Sequence, residues 1–167
     1  MIIENFSIFK KLYLYYLLFA FVLSIFDIFL GCKSNWVSFL YGRIPNKFEG
    51  LMISGFFLFS WLLYGIITGY TERKGFIKFL LFFWVTGGSI SLIANLMAPI
   101  GKFTLLLIPV DILILVPNYG LKPYLLFSSV KNTNNLLFIF LSVLFSWLMG
   151  FTGYILGNKF KNLLDER

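Results

Sequence analysis

Apolar stretches of helical length alternate with short polar clusters along this chain. The first, residues 12–31, follows Lys10 and Lys11. At 1.5 Å rise per residue, twenty residues span ~30 Å, one bilayer core. The second, residues 51–70, carries no charge. The third, residues 79–100, follows Arg73, Lys74 and Lys78. The last, residues 136–157, is again uncharged and leads into a polar tail, residues 158–167. Four membrane-spanning helices are expected from this pattern.

A fifth apolar segment is harder to place. Residues 103–116 contain Pro109, which interrupts a helix, and Asp111, and they end at Pro117-Asn-Tyr-Gly. A central acid costs about 3 kcal/mol on the insertion scale. Two readings fit: a kinked fifth span over 103–121, or a re-entrant segment that enters over 103–116, turns at 117–120 and returns over 121–130. Irregular backbone at that depth needs cover from protein or a water-filled cavity. With four spans and the N-terminus inside, eight basic residues lie on the inner side and six on the outer; with five spans the count is seven against seven. The excess favours four spans with both termini cytoplasmic.

In the loop of residues 32–50, Trp36, Phe39 and Leu40 fall at helical spacing, and Ile44 and Phe48 continue the pattern, which suits a short interfacial helix. The fold class expected is therefore an all-α polytopic membrane helix bundle in one domain. It comprises four transmembrane helices and a Pro/Asp-interrupted fifth hydrophobic segment.

Composition strengthens the class. Hydrophobic residues make up 59% of the 167 and charged residues 13%, about half the soluble norm. The formal net charge of +7 comes from lysines and arginines flanking apolar runs, so it points to anionic headgroups rather than nucleic acid. Abundant Phe, Ile, Lys and Asn suit an AT-rich bacterial genome, and a bacterial cytoplasmic membrane is the expected location.

The chemical inventory is thin. With no histidine and only Cys32, neither a His-based catalytic pair nor a Cys/His metal site can be assembled. No cofactor or metal is expected, and enzyme activity is not. Phe29-Leu-Gly-Cys32 is similar to a bacterial lipobox, though Asp27 and bulky Leu30 depart from that pattern. Two acids lie in apolar stretches. Asp27, one turn before Gly31, reads as an interfacial carboxylate. Asp111 reads as a candidate ion or substrate contact, or as a partner for Lys102 or Lys122. The Gly-x-Gly-Asp motif of diaspartyl intramembrane proteases is missing, because Ile108, Pro109 and Val110 precede Asp111.

Small residues mark where helices meet. Gly65 and Gly69, and Gly153 and Gly157, form small-xxx-small pairs; Gly87, Ser91 and Ala94 share a face with Asn95, a further candidate contact. Internal packing explains these faces, and self-association or a partner membrane protein also would. The function expected first is a small non-catalytic accessory or partner-binding subunit in the lipid bilayer. The alternative is a small transporter or channel component with an acidic site at Asp111.

Overall fold

The computed structural model describes Leu14, Tyr15, Leu18, Val22, Asn35 and residues 37–40, 47–97, 113–125 and 133–166. These residues are helical or in turns, with no strand among them. The helices are α1 (Val37–Leu40), α2 (Lys47–Tyr70), α3 (Phe76–Met97), α4 (Lys122–Leu125) and α5 (Thr133–Asp165), with a 3₁₀ turn at Tyr119–Leu121. Three of them are long and apolar enough to cross a membrane, over Phe48–Tyr70, Phe76–Met97 and Leu136–Asp165.

Most of the predicted first span, residues 12–31, lies outside the described residues; Leu14, Tyr15, Leu18 and Val22 are helical and exposed. The last apolar run sits in a helix that continues to Asp165, through the segment read as a polar tail. Apolarity there marks a hydrocarbon thickness, whereas helix formation needs only good helix formers such as Lys and Leu and no Gly or Pro in the segment.

Ring contacts set the direction of α3. Tyr64 meets Phe76 at 5.2 Å, and Trp61 meets Trp84 at 5.1 Å, so α3 runs antiparallel to α2. Glycines set the direction of α5. A Cβ at Gly65 would strike the backbone of Gly150 and Tyr154, and one at Gly69 that of Tyr154 and Asn158. Gly153 abuts Leu62, and Gly157 abuts Ile66. The numbers rise together, so α5 runs parallel to α2. Met97 and Thr133 consequently lie at the same end of the bundle.

The core is largely aromatic. Phe57, Trp61, Tyr64, Phe76, Phe79 and Trp84 are buried between α2 and α3. Phe56, Phe59, Ile67, Phe82, Val85 and Phe140 face outward, a surface suited to lipid. The turn between α2 and α3 closes with the paired bonds of a Schellman motif: Arg73 N–H donates to Thr68 C=O and Glu72 N–H to Gly69 C=O, each at 3.0 Å. Glu72 takes the left-handed position usually given to glycine, with φ 50°. Its carboxylate accepts from Lys161 of α5 at 2.7 Å.

Of the interrupted segment 103–121, residues 103–112 lie outside the described residues. Residues 113–115 are helical, but the chain then turns over 116–118. Pro117 lacks a donor, and its ring disfavours helical backbone at Val116. The interfacial helix expected in the first loop is one turn, α1, and its Phe39 packs edge-on against Tyr119 at 5.4 Å rather than facing outward alone.

Candidate functional site

The turn at residues 116–121 is buried. Val116, Asn118, Tyr119 and Gly120 are all buried, and Asn118 is fully so. Buried loop backbone must find partners, and the two flanking helices supply them. Ser54 Oγ of α2 donates to the Pro117 carbonyl at 2.8 Å. Asn118 Nδ2 donates to Ser146 Oγ of α5 at 2.9 Å. Leu121 N–H returns to Asn118 C=O at 2.9 Å. Gly120 lies directly on Gly50, where any Cβ would enter the α2 backbone. The turn is thus wedged between the N-terminal halves of α2 and α5. Just before it, Ile114 occupies the space left by Gly87 of α3.

Beside the wedge is a cavity of about 200 Å³. Its polar lining comes from Asn95, Tyr119 and Lys122, and its apolar walls from Phe39, Leu115, Phe138 and Ile139. Lys122 opens α4, immediately after the 3₁₀ turn, so its stem folds back over Tyr119. Its Nζ donates to the Tyr119 hydroxyl at 3.1 Å. The same ammonium lies 4.8 Å from the Tyr119 ring centroid and 5.9 Å from that of Phe138, within cation–π reach. Phe39 and Phe138 both meet Tyr119 edge-on, at 5.4 Å and 5.8 Å. Asn95 is half-buried, and one amide hydrogen goes to Ser91 C=O at 3.0 Å. A carboxamide has two donors and an acceptor oxygen, so it keeps further capacity.

Among the described residues, buried side-chain polar atoms with no hydrogen-bond partner are Asn118 Oδ1, Ser91 Oγ, Ser142 Oγ, both polar atoms of Asn35 and the indole N–H groups of Trp61, Trp84 and Trp147. Each such atom costs about 1–3 kcal/mol relative to its hydrated state.

The residues singled out in the sequence fall into separate places. The structure puts Asn95 in the cavity wall and buries Ser91 one helical turn away. Gly65, Gly69, Gly153 and Gly157 form one seam, and Gly87 receives Ile114. Asp27, Asp111, Lys102 and Cys32 lie outside the described residues. Sequence reasoning missed Tyr119, Asn118, Ser54 and Ser146, and gave Lys122 only as a partner for Asp111. The signal was available: a Pro-Asn-Tyr-Gly turn set in an apolar run needs buried polar partners.

Among the described residues, no group of three acids, cysteines or histidines could hold a metal ion. The arrangement at the cavity presents an ammonium, a phenol and a carboxamide. It is equipped to bind and orient a molecule through hydrogen bonds and ring contacts. No protein family, curated protein or solved structure matches this chain.

Proposed function

We propose that this is a small multi-pass membrane protein that holds a solute within its bundle, as a component of a transporter or channel. The observation that carries this reading is the cavity where Asn95, Tyr119 and Lys122 converge beside a buried, broken segment. Broken helices and irregular backbone at depth are the usual setting of solute sites in membranes. The site carried by this reading is Asn95, Tyr119 and Lys122; Asp111 lies outside the described residues.

The helix directions support the re-entrant topology. With Met97 and Thr133 at one end of the bundle, a single net crossing between them does not fit, and a segment that enters and returns does. Four crossings with both termini cytoplasmic follow when the first span is included, in a bacterial cytoplasmic membrane. Reporter fusions at Glu4 and Asp165 test this: signals from the same side are expected, and opposite sides would refute it.

The solute reading is tested in a Cys32→Ser background. Asn95→Cys should react with a small, water-soluble thiol reagent added to one side of sealed vesicles. Leu81→Cys, exposed on the apolar face, should not react. An Asn95→Cys protein unlabelled from either side would sink the reading.

The accessory-subunit reading keeps one specific support. A groove of about 230 Å³ between α3 and α5 is lined, among the described residues, by apolar side chains including Trp84 and Trp147, and a partner helix would fit there. Site-directed crosslinking from Val85 would detect such a partner. The glycine seam no longer supports self-association, because α2 and α5 consume it internally.

A further inference from the structure

We propose that the groove between α3 and α5 seats one acyl chain of an anionic phospholipid, whose phosphate is met by Lys74 and Lys78. Among the described residues, this groove and the cavity beside Tyr119 share no lining side chain, so the inference goes beyond the solute reading and stands without it.

Depth and face place the lipid. On α3 the groove is lined by Leu81, Trp84 and Val85. Measured from the start of α3 at Phe76, they lie about 7–14 Å along its axis. Half of a ~30 Å hydrocarbon core is about 15 Å, so the groove lies at the depth of one leaflet's chains. Lys78 precedes Leu81 by three residues and Val85 by seven, which puts all three on one face of α3. Lys74 comes one turn earlier, and both lysines are exposed. At this end of the bundle the ion pair among the described residues joins Lys161 to Glu72, and Lys74 and Lys78 enter none. A lysine stem can lie along apolar surface and lift its ammonium into the headgroup layer.

Size favours a chain over a helix. An apolar cavity of about 150 Å³ admits benzene, and the groove's volume of about 230 Å³ takes a length of one hydrocarbon chain. A helix, ~10–12 Å across with its side chains, would rest on the rim. Helices approach closely in lipid through small residues. The described lining offers Leu, Val, Phe and Trp instead, and Gly88 of α3 is already filled by Val143. A flexible chain needs no such close approach. On α5, Phe151 stacks on Trp147 at 5.1 Å and extends that wall towards the lysine end.

Charge selects the headgroup. The acids described at this end are Glu72, held by Lys161, and Asp165 and Glu166 at the end of α5. None of them is on the α3 face of Lys78. A phosphatidylcholine phosphate is already balanced by its own ammonium, whereas phosphatidylglycerol carries a net negative charge. Each lysine near the surface raises the preference for the anionic lipid by roughly fivefold.

The test uses the full chain in vesicles of phosphatidylcholine with a minor share of phosphatidylglycerol, one lipid at a time carrying bromine on its acyl chains. Bromine quenches nearby indoles, and Trp84 and Trp147 in the groove walls are the reporters. Brominated phosphatidylglycerol should quench beyond its share of the lipid, with a relative affinity over phosphatidylcholine of about thirtyfold at low salt. High salt should reduce that preference. Unbrominated phosphatidylglycerol should reverse the quenching, and glycerol 1-phosphate, which has no chain, should not. The double variant Lys74→Gln/Lys78→Gln should bring the relative affinity close to one. Val85→Phe, which fills the groove from its exposed rim, should also abolish the preferential quenching while both lysines remain. Lys159→Gln removes a charge at the same end of the bundle but on α5, and it should keep most of the preference. If the double variant does not fold, Val85→Phe and Lys159→Gln decide between them. Equal quenching by the two lipids in the wild-type protein overturns the proposal. So does a preference that survives Val85→Phe, or one that Lys159→Gln removes as fully as the double variant does, because the charge of the whole end would then explain it. Capture of a protein by crosslinking from Val85 would assign the groove to a partner helix and overturn the proposal as well.

Discussion

Towards their C-terminal ends, α2 and α5 meet backbone to backbone, with Gly65 and Gly69 against Gly153 and Gly157. Towards their N-terminal ends the same two helices are separated by the turn at residues 117–120, which bonds to Ser54 on one side and Ser146 on the other. One half of the pair has no room for a methyl group; the other has room for a buried turn and its hydrogen bonds. The difference follows from side-chain size. Glycine lets helix axes approach until backbones touch, and association in lipid relies on that contact. Where the small residues end, the axes diverge, and the space is filled by chain that must bring its own hydrogen bonds. The tight half anchors the bundle, and the open half is free to hold chemistry.

The largest effect should come from filling the tight half. Gly153→Leu forces a side chain into the Leu62 backbone and should cost at least about 3 kcal/mol, the upper end of overpacking. Gly55→Leu is its control, because nothing lies within 4 Å of a Cβ there; it should melt like the parent protein. Thermal unfolding in detergent reads both. If Gly153→Leu melts like the parent, the two halves are not packed differently.

An intermediate effect is expected in the open half. Asn118→Ala removes the bond to Ser146 and leaves that hydroxyl unpaired, at a cost of about 1–2 kcal/mol. The loss is partly offset because the unpartnered Asn118 oxygen is removed too. Ser54→Ala should cost about 1 kcal/mol through the Pro117 carbonyl. The double variant sharpens the comparison: the two bonds hold one turn, so their losses should be non-additive. Strict additivity would mean that the turn does not act as a unit.

The smallest effect lies beyond the tight half. Glu72→Gly relieves a left-handed residue but loses the exposed pair with Lys161. Strain relief of about 1 kcal/mol slightly exceeds an exposed ion pair of about 0–1 kcal/mol. The variant should be unchanged or marginally stabilised in low salt, and more clearly stabilised in high salt, where the pair is screened. Destabilisation in high salt would show that the left-handed turn carries little strain.

The long helices were legible because uncharged runs of this length have few other uses. Their ends were not. Residues 51–70 and 79–100 were expected, whereas the helices are Lys47–Tyr70 and Phe76–Met97. Hydropathy discounts Lys47, Glu49 and Lys78, but a helix end in water or headgroups admits all three. The glycine pairs were visible as small-xxx-small spacing, though nothing in the spacing chose α5 as the partner of α2. The cavity was nearly invisible: Asn95, Tyr119 and Lys122 become neighbours only when the Pro117 turn folds into the bundle. The turn over residues 116–118 was announced by Pro117 and Gly120, while its depth depended on Ser54 and Ser146.

The pairing of α2 with α5 also orders the making of the protein. The α2–α3 hairpin is complete at Met97, and about 70 residues remain before α5 ends. At ~5–20 residues per second that interval is on the order of 3–15 s. During it the aromatic contacts between α2 and α3 can form, while the glycine face of α2 waits without its natural neighbour. A nascent chain stalled before Thr133 therefore displays an adhesive Gly65/Gly69 surface to every other helix in the bilayer. Chaperoning of that surface, or rapid arrival of the last helix, becomes a requirement of biogenesis.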